Sequence, residues 1–303
     1  MNLHHNKIHF DELIIATSNE FGISKSIIEK DYYVTLVLNE LSKNIPDMVF
    51  KGGTSLTKCY QLLDRFSEDI DLSYNISIGN MGESKKRKLK QAIIQSMANI
   101  NTPVYNVDQT RSRRQYNCYR AKYTSLYNSN IVKTELIVET YIALLPFPTS
   151  IEMVDSYIYR YLKKYNYDQL IDQYNLHPFQ ITTQSIERTL IDKVFALCDY
   201  YLTNKTDNHS RHIYDIHKII KKYGIPSNLN NLVNEVRLAR SKLDICPSAK
   251  EDMDICKIIK EIIGKQIYKD DYESITMNLL FTPIPYDQAI KSLQLMANQD
   301  IWK

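Results

Sequence analysis

The sequence predicts an α+β fold with a mixed N-terminal half and a mostly α-helical C-terminal half. Alternating apolar residues, the pattern of strands, are concentrated between residues 48 and 141, whereas helical spacing dominates after about residue 150. Only 7 glycines occur among 303 residues, which disfavours a β-sandwich rich in tight turns. The length fits about two domains, and Pro146 and Pro148 suggest a boundary between residues 1–148 and 149–303.

Hydrophobic spacing assigns the elements of the N-terminal half. Residues 8–43 are predicted to form two helices, of which the second has Ser24 as its N-cap and ends before Pro46. The other predicted elements are a strand at 48–50, a helix at 56–63, a half-buried strand at 70–72, a helix at 85–100, and paired strands at 116–126 and 131–141 around a turn at 127–130.

Two helices are well marked in the C-terminal half. The segment 185–201 begins at Ser185, a suitable N-cap, and repeats apolar residues at helical spacing. The segment 210–223 is closed by Gly224, as expected where a helix ends. These two segments support a helical second domain.

Composition excludes several classes of protein. With 44% apolar and 24% charged residues, the chain is not expected to be disordered. Apolar runs are far shorter than the 18 or more residues of a membrane span, and the N-terminus lacks a signal-peptide pattern. The 5 dispersed cysteines have no CxxC spacing, which indicates a reducing cytoplasm and no zinc site. The 23 tyrosines are better explained by AT-rich codon usage than by an aromatic binding surface.

Positive charge is concentrated in one segment. Residues 83–122 contain ten Lys and Arg residues against Glu83 and Asp108, a net charge of +8, whereas the whole chain carries only +3. Such a segment suggests a polyanionic partner, most simply nucleic acid. The alternative is a solvated helix face followed by a basic strand. The ten basic residues are Lys85, Lys86, Arg87, Lys88, Lys90, Arg111, Arg113, Arg114, Arg120 and Lys122.

A glycine turn suggests a phosphate site. The predicted strand at 48–50 runs into Gly52 and Gly53, then into Thr54 and Ser55, and then into a helix. Glycines allow the backbone to approach a phosphate closely, and a helix N-terminus supplies free N–H donors and partial positive charge. The spacing is not that of a Walker P-loop, but it predicts a cradle for a triphosphate.

Two carboxylates follow on the next strand. Asp69 and Asp71 are two residues apart, so they share one strand face about 7 Å apart, while the alternating apolar residues face the core. Carboxylates in this arrangement suit a pair of Mg²⁺ ions and phosphoryl or nucleotidyl transfer. A third carboxylate is expected on a neighbouring strand, with Glu135 as the first candidate and Glu139 as the alternative.

These motifs resemble the AbiEii/AbiGii family of nucleotidyltransferase toxins from abortive-infection, type IV-like toxin–antitoxin systems. The similarity spans about residues 25–220, and it is most specific at the glycine turn and the aspartates. The segments that carry it are Gly52-Gly53-Thr54-Ser55-Leu56, residues 65–72 (Arg-Phe-Ser-Glu-Asp-Ile-Asp-Leu), Glu29-Lys30-Asp31-Tyr32-Tyr33, residues 187–197, and Arg211-His212-Ile213-Tyr214-Asp215-Ile216.

The resemblance implies a DNA polymerase β-like nucleotidyltransferase core with a helical C-terminal lobe. It implies an NTP substrate and Mg²⁺, with Mn²⁺ as the alternative metal. Asp69 and Asp71 would be metal ligands, Lys193 would contact the triphosphate, and Asp215 would complete the site. One departure is His212, where many relatives have an aspartate. The candidate nucleotide-binding residues are Gly52, Gly53, Thr54, Ser55, Arg65, Ser67 and Lys193.

Several of these residues also have structural interpretations. Lys193 lies on an apolar helix and could extend its ammonium to solvent, and Asp215 could pair with Arg211 one helical turn away. Ser67 shares the face of Asp69, so a phosphoryl or nucleotidyl group on Ser67 is predicted to block the triphosphate. Arg65 could instead pair with Glu68, and Asp31 and Asp192 could tie helices together. The spacing of His209, His212 and His217 does not predict a zinc-binding pair on one helix face.

The leading functional hypothesis is therefore a Mg²⁺-dependent toxin that transfers NMP from an NTP to RNA. By resemblance the acceptor would be tRNA, the +8 segment would dock it, and a cognate antitoxin would be the partner; the result would be a block of growth or phage propagation. Nucleotidylation of a protein hydroxyl is the enzymatic alternative. A non-catalytic nucleic-acid-binding protein is the third reading, which the paired aspartates disfavour.

Overall fold

The computed structural model describes residues 1–75, 82–129, 132–226 and 229–302. The chain divides into two compact units. Residues 1–60 and 67–183 form the first, which we call the sheet unit, and residues 61–66 and 184–303 form the second, the helical unit. The α+β fold class is confirmed, with a six-stranded mixed sheet and many helices.

Over its described residues, the sheet unit contains a six-stranded sheet and six α-helices. Its strand order is β3-β4-β2-β1-β6-β5. The strands are β1 (Met48–Lys51), β2 (Ile70–Tyr74), β3 (Tyr116–Lys122), β4 (Glu135–Tyr141), β5 (Thr149–Val154) and β6 (Phe179–Gln184). The helices are α1 (Lys7–Phe21), α2 (Lys25–Asn44), α3 (Gly52–Lys58), α4 (Glu83–Asn99), α5 (Tyr157–Lys164) and α6 (Asp168–Tyr174).

The sheet has one apolar face and one polar face. β2 runs antiparallel to β1 and parallel to β4, and β3 is antiparallel to β4. Leu72 of β2 and Val138 of β4 are buried in one hydrophobic cluster with Val37 of α2 and Ile93 of α4. Because side chains alternate along a strand, the residues between these core positions lie on the opposite, half-exposed face.

Three charged residues of α2 tie that helix to the sheet unit. Glu29, fully buried, accepts a hydrogen bond of 2.8 Å from the backbone N–H of Leu126. Lys30 pairs with Glu68 at 2.8 Å, and Asp31 pairs with Lys58 and accepts from the backbone N–H of Tyr157 at 2.9 Å. Buried charges are tolerated only when paired in this way, so this motif holds the fold, as one interpretation of Asp31 predicted.

In the residues that the structure describes, the helical unit is built mainly from helices. Residues 61–66 belong to it because Phe66 N–H donates to Leu279 O at 2.9 Å and Arg65 forms a β-bridge with Leu280. The predicted cap at Ser185 is confirmed, since its side chain accepts from Arg188 N–H. The helices are α7 (Ile186–Leu202), α8 (Arg211–Tyr223), α9 (Leu229–Ser241), α10 (Ile255–Gly264), α11 (Lys269–Asp271), a π-helical turn (Tyr272–Thr276), α12 (Met277–Leu279) and α13 (Tyr286–Ala297).

The structure differs from the sequence-based predictions in three places. The units divide at residues 183 and 184 rather than after 148, because β5, α5, α6 and β6 continue the sheet unit. β5 and β6 lie where helices were expected; β5 is at the sheet edge and exposes Ile151 and Met153, so it lacks a clear core pattern. The helix predicted at 56–63 begins at Gly52 and ends at Lys58.

Other predicted features are found within the described ranges. β3 and β4 pair as expected but end earlier, with Lys122 opposite Glu135. Asn130 and Ile131, predicted to end the turn and begin the strand, lie outside the described residues. No helix in the part of the chain that the structure describes is both long and apolar enough to cross a membrane.

Candidate active site

The glycine turn and the second aspartate are in direct contact. A Cβ atom placed on Gly52 would lie 2.0 Å from Oδ2 of Asp71, and Gly52 has φ +80°. Side chains are excluded at that distance, and the left-handed backbone also favours glycine. Gly52 therefore allows the Asp71 carboxylate to lie directly against the turn between β1 and α3.

The strand register aligns a row of polar residues across the polar face. Asp71 of β2 is opposite Glu139 of β4 and Lys51 of β1, and Glu139 is opposite Cys118 of β3. Opposite residues on neighbouring strands lie about 4.5–5.5 Å apart at Cβ. The Tyr116 hydroxyl donates to Glu139 Oε1 at 2.8 Å. The sheet thus brings a second carboxylate next to Asp71.

Glu135, the first candidate for the third carboxylate, has other contacts. It pairs with Arg120 at 2.6 Å and accepts a hydrogen bond from the Tyr105 hydroxyl. It lies four residues before Glu139 on the same strand, which is about 13 Å along it. The register therefore favours the alternative, Glu139, as the partner of Asp71.

The hydroxyl residues after the diglycine hold the turn. Ser55 is fully buried and donates to Gly52 O at 2.9 Å. Thr54, also buried, shares a hydrogen bond of 2.9 Å with Ser67. These contacts link the turn to the segment that leads into Asp69.

The carboxylates of the polar face suit Mg²⁺ if substrate phosphate and water oxygens complete the coordination of the ion. No three His, Cys, Asp or Glu side chains converge on one metal position in residues 1–75, 82–129, 132–226 and 229–302. Mg²⁺ in nucleotide-binding enzymes usually takes only one or two carboxylates and completes its shell with water and phosphate oxygens. Asp71 against the open Gly52 turn and half-buried Asp69 at the start of β2 provide such carboxylates.

The helical unit holds three other predicted site residues in one buried ion cluster. Asp215 is fully buried; its Oδ1 accepts from Arg65 Nε at 2.7 Å, and its Oδ2 accepts from Arg65 Nη2 at 2.9 Å and from Lys193 Nζ at 2.6 Å. Arg65 thus pairs with Asp215, while Glu68 pairs with Lys30. One carboxylate is shared by two cations.

This sharing shifts the protonation equilibria of the cluster. Burial alone would raise the pKa of Asp215, but Arg65 and Lys193 beside it hold that pKa well below its ordinary value. Burial lowers the pKa of Lys193, and although Asp215 opposes the shift, Arg65 adds to it. The cluster thus holds two cationic side chains against one ionised carboxylate.

Comparison with known proteins decides the family. The protein-family model described as the nucleotidyl transferase AbiEii toxin of type IV toxin–antitoxin systems matches residues 36–292 of the chain. The chain belongs to the AbiEii toxin family. It is accordingly a nucleotidyltransferase, and membership in a toxin–antitoxin family implies an antitoxin and an NTP substrate.

One solved structure supports the fold, and a second aligns less closely. MenT4, a nucleotidyltransferase toxin from Mycobacterium tuberculosis H37Rv, is similar with a TM-score of 0.56 at 16% identity, over 95% of this chain and 90% of that one. JHP933 from Helicobacter pylori aligns with a TM-score of 0.43 at 18% identity, over 89% and 88% of the two chains. A search of the curated proteins found no match.

The structure adds residues of this AbiEii-family site that the sequence analysis did not select. Lys51 lies beside Asp71, with its ammonium 5.3 Å from the centroid of the Tyr141 ring. Tyr116 reaches Glu139 from the far strand. The only sequence signal was the position of Lys51 directly before the diglycine; the role of Tyr116 depends on register, which spacing does not reveal.

A second ion network explains Asp192. Arg240 donates to Asp192 Oδ1 at 3.2 Å and to Asp199 Oδ2 at 2.7 Å, and Arg188 donates to Asp192 Oδ2 at 3.0 Å. Asp199 also accepts from the backbone N–H of Ser248 at 2.9 Å. This network ties α7 to α9 and the following turn, which matches the structural interpretation of Asp192.

Proposed function

We propose that this chain transfers NMP from an NTP to an RNA acceptor, with tRNA as that acceptor, in a reaction that requires Mg²⁺. The single observation that carries the proposal is the Asp71 carboxylate lying against Gly52, with Glu139 opposite it on β4. Nucleotidyl transfer needs mainly aligned charges rather than covalent chemistry from the protein, and this face supplies them.

The carboxylates have distinct parts in the proposal. Asp69 and Asp71 hold the metal, and Glu139 takes the third position in place of Glu135. When bound, Mg²⁺ would neutralise triphosphate oxygens and the departing pyrophosphate. Tyr116 orients Glu139 through its hydroxyl. Gly52 keeps the turn free of a side chain at the point where the carboxylate lies.

The cationic residues are proposed to serve the triphosphate. Lys51 is half-buried next to Asp71 on the polar face, where a phosphate group would meet a positive charge. In the helical unit, Lys193 and Arg65 both pair with Asp215, and this concentration of cationic groups supports a phosphate-binding role for Lys193. Asp215 then positions both cations; direct participation of Asp215 in catalysis stays a prediction.

The proposal also covers the biological effect, the antitoxin, the location of the protein and the attraction of RNA. We infer that the transfer arrests growth or phage propagation and that a cognate antitoxin relieves it. A cytoplasmic location is supported by the five cysteines, all within the described ranges, none of which forms a disulfide. The basic segment 83–122 is proposed to attract the RNA backbone.

The test is a transfer assay with the purified chain, Mg²⁺ and each labelled NTP in turn, first with total RNA and then with total protein. We expect label in RNA, loss of transfer after EDTA, and a rate roughly 10²–10³-fold lower in D71N, the loss typical of removing one preorganised electrostatic contact. D71N should keep the wild-type circular dichroism spectrum.

Three other results of this assay would each contradict a part of the proposal. Label in protein alone identifies the enzymatic alternative, a protein hydroxyl as acceptor. RNA binding without any transfer identifies the non-catalytic alternative. An unchanged rate in correctly folded D71N removes the metal role of Asp71, and with it the observation that carries the assignment.

A further inference from the structure

The polar face of the sheet does not end at the carboxylates. β3 continues it. Besides Cys118, three residues of β3 lie on this face, because their partners Tyr141, Ile137 and Glu135 alternate along β4 in step with Glu139. They are Tyr116, Arg120 and Lys122. Since neighbouring strands are about 4.8 Å apart, β3 lies only about 10 Å from the strand that carries Asp71.

An aromatic residue extends this surface beyond β3. Tyr105 N–H donates to Arg120 O at 3.0 Å, and Val104 bridges Ala121, so the segment runs beside β3. Tyr105 is 53% exposed and Tyr116 is 48% exposed. The Lys122 ammonium lies 5.8 Å from the centroid of the Tyr105 ring. We call Tyr105, Tyr116, Arg120 and Lys122 the β3 platform.

Both tyrosine rings are anchored at their hydroxyls. Tyr116 donates to Glu139 and Tyr105 donates to Glu135, and Glu135 is itself held by Arg120. An anchored ring loses little side-chain entropy when a partner stacks on it. Half-exposed rings beside a lysine are the arrangement with which proteins bind unpaired bases and the phosphates that join them.

Other residues of the basic segment have different contacts. Lys90 donates to Thr110 O at 2.9 Å, Arg114 donates to Gln109 O at 3.1 Å, and Arg111 donates to Asp108 O. These three residues bind backbone carbonyls of the loop before β3, and Lys90 thereby joins that loop to α4. Lys90, Arg111 and Arg114 of the +8 segment therefore stabilise the loop before β3, whereas the β3 platform is a separate part of the same segment.

We propose that the β3 platform binds the single-stranded 3′ end of the RNA acceptor, by base stacking on Tyr105 and Tyr116 and by phosphate contact with Lys122. The inference rests on the proposed function and specifies where its acceptor lies. A duplex presents no open base faces, so the platform selects an unpaired end. Because β3 is about 10 Å from the β-strand that carries Asp71, an RNA bound on the platform would have its 3′ end beside the carboxylates.

The test measures binding apart from catalysis. Fluorescence anisotropy without NTP gives the Kd of a short labelled single-stranded RNA and of a blunt duplex. We expect Tyr105→Ala and Tyr116→Ala each to weaken single-strand binding by roughly 5–150-fold, the range for loss of one stacked base. Tyr105→Phe should retain most of the affinity, because the ring is kept. Lys122→Ala should lower the slope of log Kd against log salt by about 0.7.

A matched control is available in the helical unit. Tyr223 is 46% exposed, and the Lys222 ammonium lies 5.2 Å from its ring centroid, so it presents the same chemistry on α8 of the helical unit. Tyr223→Ala should bind RNA like wild type. In transfer assays Tyr105→Ala should raise the KM for RNA more than it lowers kcat. Thermal unfolding curves check that each variant is folded.

The outcomes separate this inference from the proposed function. If the tyrosine variants bind single-stranded RNA as tightly as Tyr223→Ala while wild type transfers nucleotides to RNA, the platform is wrong and the function stands. If wild type transfers nothing but the tyrosine variants lose RNA binding, the platform stands and the function fails. Equal affinity for duplex and single strand, or label only in protein, also overturns the platform.

Discussion

Two aspartates of this chain, Asp71 in the sheet unit and Asp215 in the helical unit, have opposite surroundings. Asp71 is half-buried on a polar face, beside the bare backbone of Gly52 and opposite another carboxylate, Glu139. Asp215 is fully buried between Arg65 and Lys193, and each of its oxygens accepts a hydrogen bond from a cation.

The difference indicates what each carboxylate can do. Carboxylates placed opposite each other repel, and a cation relieves that cost. Lys51 lies on the other side of Asp71, and a bound metal ion would relieve the repulsion further. A buried carboxylate with cations on both oxygens is already satisfied, and removing it would leave buried charge uncompensated. We therefore expect activity changes from the first region and stability changes from the second.

The largest expected effect is that of Gly52→Ala on activity. The new Cβ would lie 2.0 Å from Asp71 Oδ2, so the carboxylate must move, and φ +80° adds strain of about 1–3 kcal/mol. Transfer should fall at least as far as in D71N, with a lowered Tm. The control is Gly82→Ala, where φ is −61° and no atom lies within 4 Å of the new Cβ. A wild-type rate in Gly52→Ala would refute the contact.

The next effect is on stability, from Asp215→Asn. Loss of the shared counter-ion should lower the free energy of unfolding at pH 7 by about 3–5 kcal/mol, measured by urea denaturation. The control is Asp64→Asn: Asp64 pairs with Lys218 at 2.6 Å but is 56% exposed, so the loss should stay below about 1 kcal/mol. Equal losses in the two variants would contradict the difference between buried and exposed pairs.

The same variant has a defined pH dependence. Because Arg65 and Lys193 hold the pKa of Asp215 below its ordinary 3.8, the ionised form stabilises the folded state fully above pH 3.8. That contribution is lost as the pH falls toward the folded-state pKa. The gap in unfolding free energy between wild type and Asp215→Asn should therefore be constant from pH 5 to 7 and narrow below pH 3.8.

Local features of both regions could be predicted from the sequence. The alternation around Ile70 predicted β2, and the Ser185 cap predicted the start of α7, because these depend on neighbours in the chain. The contact between the glycine turn and the aspartate strand was also expected, since one short helix separates them, and the position of Asp71 against Gly52 agrees with it.

Long-range pairing could not be predicted in the same way. Two interpretations of Arg65, a phosphate contact and an ion pair with Glu68, were open from sequence; in the structure Glu68 pairs with Lys30, and Arg65 pairs with Asp215. The partner lies 150 residues away, beyond any local spacing rule. Spacing alone leaves Glu135 and Glu139 open for a related reason: both lie on one face of β4, and only the register with β2 distinguishes them.

That register leads to the most specific comparison, between two substitutions on one strand. Glu139→Gln should lower the transfer rate by roughly 10²–10³-fold, because it removes the charge opposite Asp71. Glu135→Gln removes only the ion pair with half-exposed Arg120, so its rate should stay within about tenfold of wild type. Both substitutions keep the size of the side chain and replace one accepting oxygen by an NH2 donor. Steady-state rates at saturating Mg²⁺ and at limiting Mg²⁺ separate weakened metal binding from other losses. If Glu135→Gln is the more damaging of the two, the third carboxylate is Glu135, and the register argument fails.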